Sequence, residues 1–177
     1  REGGLGGLDL YSFNLYDSAR PLQVSYVKGV VTDINSGMPL EASFEIIDLK
    51  NGKVVMNSST EKGTGEFLAC LTAGKDYALN VSRDGYLFYS DHFSCKNSAD
   101  IKNAYLLDVK LSPATTGAKV VLKNVFFDTN LYNLKDESFP ELDKLVDFMK
   151  GNASVTIEVS GHTDSTGDKA KNQLLSQ

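Results

Sequence analysis

Apolar and polar residues alternate along the chain from residue 24 to residue 113, and short polar turns interrupt the alternation. A period of two places every second side chain on one face of a β-strand. The pattern predicts seven strands, which are Gln23–Thr32, Ala42–Asp48, Lys53–Ser58, Glu66–Leu71, Tyr77–Ser82, Leu87–Phe93 and Ala104–Leu111. One of the turns, Asn51-Gly52, is of the type that closes a two-residue hairpin. Seven short strands separated by such turns are typical of a β-sandwich.

A different pattern begins after the linker of residues 112–117. Val120–Phe127 is an apolar run that predicts a strand, and Val155–Val159 alternates like a half-buried strand. Between them, the helical spacing of apolar residues predicts an amphipathic helix over Glu141–Lys150. Its apolar positions are Leu142, Leu145, Val146 and Met149. This strand–helix–strand order predicts a partial β-α-β unit, followed by the first turns of another helix near the last residue.

The helix also carries signals for its two ends. Ser138, with Glu141 three residues later, predicts a capping box in which the serine hydroxyl and the glutamate carboxylate satisfy the first free backbone N–H groups. Gly151 stands where a residue of left-handed conformation would close the C-terminal end. Both signals support a helix that begins near Ser138 and ends at Lys150.

The chain therefore divides into three segments. Residues 1–20 are rich in glycine and then in aromatic residues, and they suffice for one short terminal strand and a linker but not for a domain. Residues 22–113 hold the sandwich, and residues 118–177 hold the β-α-β unit. We expect a mainly β fold with a smaller α/β part.

Composition and charge exclude several classes of protein. The 177 residues carry a net charge of -5 without a cluster of lysine or arginine, so a nucleic-acid partner is not expected. No apolar run approaches the about 18 residues that a membrane-spanning helix needs. The chain begins with Arg1 and has no secretory signal at its start, and we expect it to be a piece of a longer protein. Cys70 and Cys95 are too few for a disulfide framework, and the sequence leaves their redox state open.

The segment with the most chemical character is Ser160-Gly161-His162-Thr163-Asp164-Ser165-Thr166-Gly167-Asp168, between a predicted strand and a predicted helix. Taken by itself, Asp164 or Asp168 in this position is typical of a helix N-cap. A metal site is not expected, because the only other histidine, His92, lies in the sandwich. No nucleophile stands in a turn suited to a hydrolytic triad. We therefore expect no catalytic residues and no cofactor.

The same segment belongs to a longer run of matching residues. Val125-Phe126-Phe127-Asp128-Thr129-Asn130, Leu134-Lys135, Pro140-Glu141-Leu142, Ile157-Glu158-Val159-Ser160-Gly161-His162-Thr163-Asp164 and Asn172-Gln173-Leu174-Leu175-Ser176 closely resemble the OmpA-like (OmpA/MotB C-terminal) peptidoglycan-binding domain in order, spacing and residue type. The resemblance implies a mixed β/α domain that holds the diaminopimelate of a peptidoglycan stem peptide in a shallow groove.

The resemblance also implies roles for individual residues. Asp164 accepts hydrogen bonds from the ligand's ammonium group, and Asn172 lies near the ligand. Thr163 is counted among the binding residues, although it and His162 mainly shape the loop. The opposite wall of the groove is formed by Asp128, Thr129 and Asn130. An arginine that grips the ligand carboxylate is expected just past the Leu-Ser step, and the chain ends at Gln177 before that position. We therefore expect this truncated chain to hold half of the binding site and to bind diaminopimelate poorly.

Two further resemblances suggest a context. The sandwich, through Val27-Lys28-Gly29-Val30-Val31-Thr32-Asp33 and Tyr77-Ala78-Leu79-Asn80-Val81-Ser82-Arg83-Asp84-Gly85-Tyr86, is similar to the carboxypeptidase regulatory-like (transthyretin-like) module, which is usually a spacer or adhesive platform. Gly4-Leu5-Gly6-Gly7-Leu8-Asp9-Leu10-Tyr11 resembles the closing strand of a TolB-type PD40 propeller. The order of propeller, sandwich and OmpA-like domain is typical of Bacteroidetes proteins associated with the outer membrane, some of which serve type IX secretion.

Two functions of different classes follow from this sequence. The first is a non-enzymatic anchor in the periplasm that ties an outer-membrane-associated assembly to peptidoglycan. The second is a protein- or carbohydrate-interaction platform on the sandwich, with a merely structural OmpA-like part. An exposed strip formed by Tyr77, Tyr86, Phe88 and Tyr89 would favour the second, but aromatic residues at alternating strand positions more often belong to the core.

Overall fold

The computed structural model describes residues 12–96, 104–129, 131–162 and 168–175. Within these residues the sandwich region forms seven strands, in two sheets. The strands are β1 (Val24–Asp33), β2 (Ser43–Asp48), β3 (Lys53–Ser59), β4 (Glu66–Thr72), β5 (Asp76–Ser82), β6 (Tyr89–Ser94) and β7 (Tyr105–Leu111). Each lies within two residues of a predicted strand at both ends, so the fold class read from the alternation is confirmed.

The strands divide into a three-stranded and a four-stranded sheet. The first sheet has the order β4-β1-β7, with β1 antiparallel to β4 and parallel to β7. The second sheet has the order β3-β2-β5-β6 and is antiparallel throughout. The connection between β2 and β3 spans Leu49–Gly52, two residues more than the predicted hairpin turn, with Gly52 at a positive φ of 65°.

The core lies between the two sheets and is filled by the inward-facing residues of both. Val27, Val31, Ala69 and Val109 of the first sheet and Ile46, Leu79 and Val81 of the second are completely buried there. The rings of Phe44 and Phe67 meet across the core at a centroid distance of 4.7 Å. Removal of this much apolar surface from water is the main source of the sandwich's stability.

Gly65, just before β4, lies close against the backbone of β1. Its carbonyl accepts a hydrogen bond from Val31 N–H at 2.9 Å, and its φ is +67°. A Cβ at this position would overlap the carbonyl oxygen of Val31, and an L side chain rarely adopts this φ. The position therefore requires glycine for both space and conformation.

Tyr77, Tyr86 and Tyr89 lie in or against the core, as predicted for core positions, whereas Phe88 is buried outside it. Tyr77 and Phe88 are buried, and Tyr86 and Tyr89 are half-buried and pack against the core. The two cysteines differ: Cys70 is exposed on the outer face of β4, whereas Cys95 is buried in the core, and no disulfide joins them. The strip of aromatic residues that would favour carbohydrate stacking is therefore not on the surface.

The C-terminal region contains two helices among its described residues. A 3-10 turn over Asp136–Ser138 leads into α1 (Phe139–Gly151), which confirms the predicted helix, and α2 spans Lys169–Leu175. The predicted flanking strands, Val120–Phe127 and Val155–Val159, are not formed in the described part of this region. A strand requires a partner for its backbone groups, and only one isolated bridge, between Phe127 and Leu134, is present there.

Both predicted helix caps are wrong, and the structure gives the reason for each. The 3-10 turn places Ser138 inside helical backbone (φ -82°, ψ -24°), so its hydroxyl makes no cap and instead bonds Phe126. Glu141 turns toward the sandwich instead of back to Ser138. Gly151 remains helical, and Asn152 closes the helix by donating its side-chain amide to the carbonyl of Phe148 at 2.9 Å.

Candidate functional site

The first wall of the predicted ligand groove is a loop held closed by short backbone contacts. Phe126 N–H donates to the Ser138 hydroxyl at 2.8 Å, and the Phe126 carbonyl accepts from Lys135 N–H at 3.1 Å. The bridge between Phe127 and Leu134 closes the loop one residue further on. These contacts present the tip of the loop, which contains Asp128 and Thr129, to solvent.

Asp128 and Thr129 are both exposed at this tip. The Asp128 carboxylate lies 3.2 Å from the ammonium group of Lys135, and its backbone carbonyl accepts from Leu131 N–H at 3.0 Å. An exposed ion pair of this kind is weak and competes with water. The Asp128 carboxylate is therefore available to a ligand at little cost.

The second segment of the predicted groove is described only in part. Asn172 is half-buried in α2, where its N–H donates to the Asp168 carbonyl at 3.0 Å. His162 is exposed. Thr163, Asp164 and Asn130 lie outside the described residues. Of the six residues predicted to bind peptidoglycan, the structure places Asp128 and Thr129 in one loop and Asn172 in another segment, and the assembly of all six remains a prediction.

The sequence did not reveal that α1 packs on the four-stranded sheet of the sandwich. The residues of β2 and β5 that alternate with the core positions face away from it, yet Ile47, Ala78 and Asn80 are buried. A partner must therefore cover this outer face. A recognisable signal was the apolar Ile47 at an outward-facing position next to the inward-facing Ile46.

Polar and aromatic contacts identify the partner as α1. Lys144 forms an ion pair of 2.6 Å with Glu45 of β2, and both side chains are largely buried. The Phe148 ring lies against Phe88 at a centroid distance of 6.2 Å. The helix thus meets the sandwich through the face that contains Glu141, Lys144 and Phe148. Val146, on the predicted apolar stripe, stays exposed.

The segment before α1 also contacts the sandwich. Lys123 donates to the Asp91 carboxylate at 3.0 Å and lies over the ring of Tyr89, and Phe126 meets the ring of His92 edge-on at 6.2 Å. Burial raises the pKa of Asp91, but hydrogen bonds from Tyr89 and Lys123 outweigh it and hold the pKa below its usual value. Burial, followed by the hydrogen bond to Asp91, raises the pKa of the Tyr89 hydroxyl. At neutral pH, Asp91 is therefore an anion that binds Lys123.

The described ranges hold neither a cluster of metal ligands nor a membrane-spanning helix. No group of three or more His, Cys, Asp or Glu side chains there is arranged to hold a metal ion. Within the same ranges, every helix is too short or too polar to cross a membrane.

Comparison with known proteins assigns a family to the C-terminal region. Residues 126–177 match the OmpA family. Outer membrane protein Omp38 of Acinetobacter baumannii is 42% identical over 52 residues, which cover 29% of this chain and 15% of Omp38. Outer membrane porin F of Pseudomonas aeruginosa is 38% identical over 71 residues, which cover 40% of this chain and 20% of the porin. The chain thus spans a fifth or less of the length of these relatives.

Among solved structures, the Bacillus anthracis TIE protein is similar over 51% of this chain and 17% of its own, at 20% identity and a TM-score of 0.43. A likeness at this level supports no statement about function. The family match spans the loop that contains Asp128, α1 and the residues that follow. Residues 126–177 are accordingly an OmpA family domain, of a family that generally binds peptidoglycan.

Proposed function

We propose that this protein is a non-enzymatic component of the cell envelope that anchors an outer-membrane-associated assembly to peptidoglycan. The ligand is the diaminopimelate of a stem peptide, bound through residues 126–177. The observation that carries the proposal is the OmpA family match, which spans all six predicted contact residues: Asp128, Thr129, Asn130, Thr163, Asp164 and Asn172.

The chemistry of these side chains suits a zwitterionic amino acid end. The Asp164 carboxylate accepts hydrogen bonds from the ligand's ammonium group, and the arginine of the family pattern binds its carboxylate with two parallel bonds. Each charge-assisted hydrogen bond contributes on the order of 1.5–3 kcal/mol. Lysine in place of arginine would lose the paired geometry. Single stem peptides are held weakly, and the repeated ligands of the polymer raise retention through effective concentration.

The proposed location is the periplasm, at the inner side of the outer membrane. The names of Omp38 and porin F as outer membrane proteins support it. Residues 22–113 resemble a carboxypeptidase regulatory-like module, and residues 4–11 resemble a propeller strand. These two resemblances extend the proposal to a Bacteroidetes assembly such as the type IX secretion apparatus. In that setting the sandwich is a spacer between the anchor and the rest of the assembly.

The alternative function is a protein- or carbohydrate-interaction platform on the sandwich. The observation in its favour is the outer face of the three-stranded sheet, where Tyr26, Leu68 and Leu106 stay exposed around Lys28. The burial of Tyr77 and Phe88 removes the aromatic strip on which carbohydrate stacking depended. The anchor is therefore the better supported function.

The test is a calorimetric titration of the full-length natural protein with a diaminopimelate-containing stem peptide. We expect saturable binding that Asp164→Ala abolishes and that Asp143→Ala, the same change of charge at an exposed position of α1, leaves intact. A stem peptide with lysine in place of diaminopimelate should bind much more weakly, because it lacks the second carboxylate. Equal binding of both peptides, or binding that survives Asp164→Ala, would contradict the proposal.

A further inference from the structure

Three buried polar side chains from three separate parts of the chain meet between the sandwich and the OmpA family domain. Ser90 comes from β6, Asn124 from the segment after the linker and Glu141 from α1, and their exposed fractions are 2%, 2% and 1%. The Ser90 hydroxyl donates to Glu141 Oε2 at 2.6 Å. The Asn124 amide lies 2.6 Å from Ser90 Oγ, 3.2 Å from Glu141 Oε2 and 3.1 Å from the Asp91 carbonyl.

This cluster is a poor source of stability but a good source of specificity. Glu141 Oε1 and Asn124 Oδ1 are buried without a hydrogen-bond partner in the described part of the chain, and burial of such atoms is costly. A shift of α1 along the sheet would also leave Glu141 Oε2 and Ser90 unpaired in an apolar setting. The cluster therefore penalises other positions of the helix on the sandwich more than it favours this one.

The cluster is connected to the loop of the proposed binding site by a short stretch of chain. Asn124 is two residues before Phe126, whose N–H and carbonyl both bond the Ser138 hydroxyl, and four residues before Asp128. Ser138 is itself three residues before Glu141, so both sides of the loop begin at the cluster. A change in the position of Asn124 or Glu141 would therefore displace an end of the loop that contains Asp128.

We infer that Ser90, Asn124 and Glu141 are positioning residues that fix the loop of residues 124–129 on the sandwich. The inference rests on the proposed function in one respect, namely that the loop forms a wall of the peptidoglycan site. It adds that the sandwich is part of the binding apparatus: a hydroxyl of β6, outside the OmpA family match, contributes to ligand affinity.

The test compares Ser90→Ala with Ser82→Ala, the same change at an exposed position of the same sheet. In the full-length natural protein, hydrogen exchange is followed at the backbone amides of residues 124–129, and the affinity for a diaminopimelate-containing stem peptide is measured. For Ser90→Ala we expect exchange in the loop to become roughly fivefold faster and binding to weaken by a similar factor, as for the loss of one buried hydrogen bond. Ser82→Ala should change neither.

A second pair of variants separates positioning from simple destabilisation. Glu141→Gln keeps an acceptor oxygen for Ser90 and should retain slow exchange in the loop, whereas Glu141→Leu should lose it. If Ser90→Ala and Glu141→Leu lower overall stability but leave loop exchange and peptide affinity unchanged, the inference is overturned. If the unaltered protein does not bind the peptide, the proposed function fails, and the loop exchange of the four variants still decides whether the cluster positions the loop.

Discussion

The sandwich and the C-terminal region differ in how their backbone and apolar groups find partners. Each of the strands β1–β7 pairs with a neighbour, and their inward-facing residues share one core. In the C-terminal region, by contrast, Ile157 and Val159 are exposed and one face of α1 packs on the sandwich. The comparison shows that the strands of the sandwich share a core of their own, whereas one face of α1 and the outer face of β2 and β5 are covered by packing on each other.

The largest expected effect comes from comparing Ile46 with Ile47, which face opposite sides of β2. Both are buried, Ile46 in the core and Ile47 on the outer face that α1 covers. We expect Ile46→Ala to lower the free energy of unfolding by about 3–4 kcal/mol and Ile47→Ala by about 2 kcal/mol, because the covering helix can adjust more easily than the core. Denaturant unfolding measures both losses.

Hydrogen exchange within α1 gives the matching control for this pair. Ile47→Ala should speed exchange of the α1 amides under conditions in which the sandwich stays folded, and Ile46→Ala should not. Equal exchange of α1 in the two variants would show that the outer face of β2 does not depend on the helix. The sandwich and the C-terminal region would then not depend on each other at this face.

The next effect in size is the ion pair between Lys144 and Glu45, which joins the regions. Both side chains are largely buried and 2.6 Å apart, whereas Lys28 and Glu66 within the sandwich are about half exposed and 3.5 Å apart. A double-mutant cycle with Lys144→Met and Glu45→Gln should give a coupling of about 1 kcal/mol, and the cycle on Lys28 and Glu66 less than about 0.5 kcal/mol. If the coupling energy between Lys144 and Glu45 is no larger than that between Lys28 and Glu66, the first ion pair does not help to hold α1 on the sandwich.

The two regions also differ in how far the sequence predicted them. Alternation placed the strands within two residues because most strands, such as β2, have one face in the core, and a shift by one residue would expose it. The helix α1 was predicted from the spacing of its apolar residues, but its packing on the sandwich was not predicted. In the sequence, Glu141 and Lys144 look like ordinary surface residues, and only the structure shows that Ser90 and Glu45 lie opposite them.

The residues of the candidate site were predicted from a resemblance to a family, and the structure locates only some of them. Asp128 and Thr129 lie at the exposed tip of a closed loop, where a ligand can reach them. The predicted helix caps at Ser138 and Gly151 are wrong because the rules for helix capping consider only residues close in sequence and not contacts with neighbouring segments. A serine that bonds Phe126 is no longer available to its own helix.

The last expected effect is seen only as the pH is lowered, and it concerns Asp33, whose hydrogen bonds lie within the sandwich. The backbone N–H of Ser36, followed by the Tyr86 hydroxyl at 2.8 Å, holds the pKa of Asp33 at about 2, below its ordinary value of 3.8. A carboxyl with a lowered pKa in the folded state stabilises the protein above the ordinary value, and this contribution disappears as the pH falls from about 4 to about 2. The difference in stability between the unaltered protein and Asp33→Asn should therefore shrink over that range, while Tyr86→Phe should move the pKa of Asp33 part of the way back toward 3.8 in an NMR titration.

Because Asp33 makes no contact with α1, exchange of the α1 amides should stay unchanged in Asp33→Asn at neutral pH. Faster exchange of these amides would mean that the sandwich and the helix are coupled more widely than through the outer face of β2, β5 and β6.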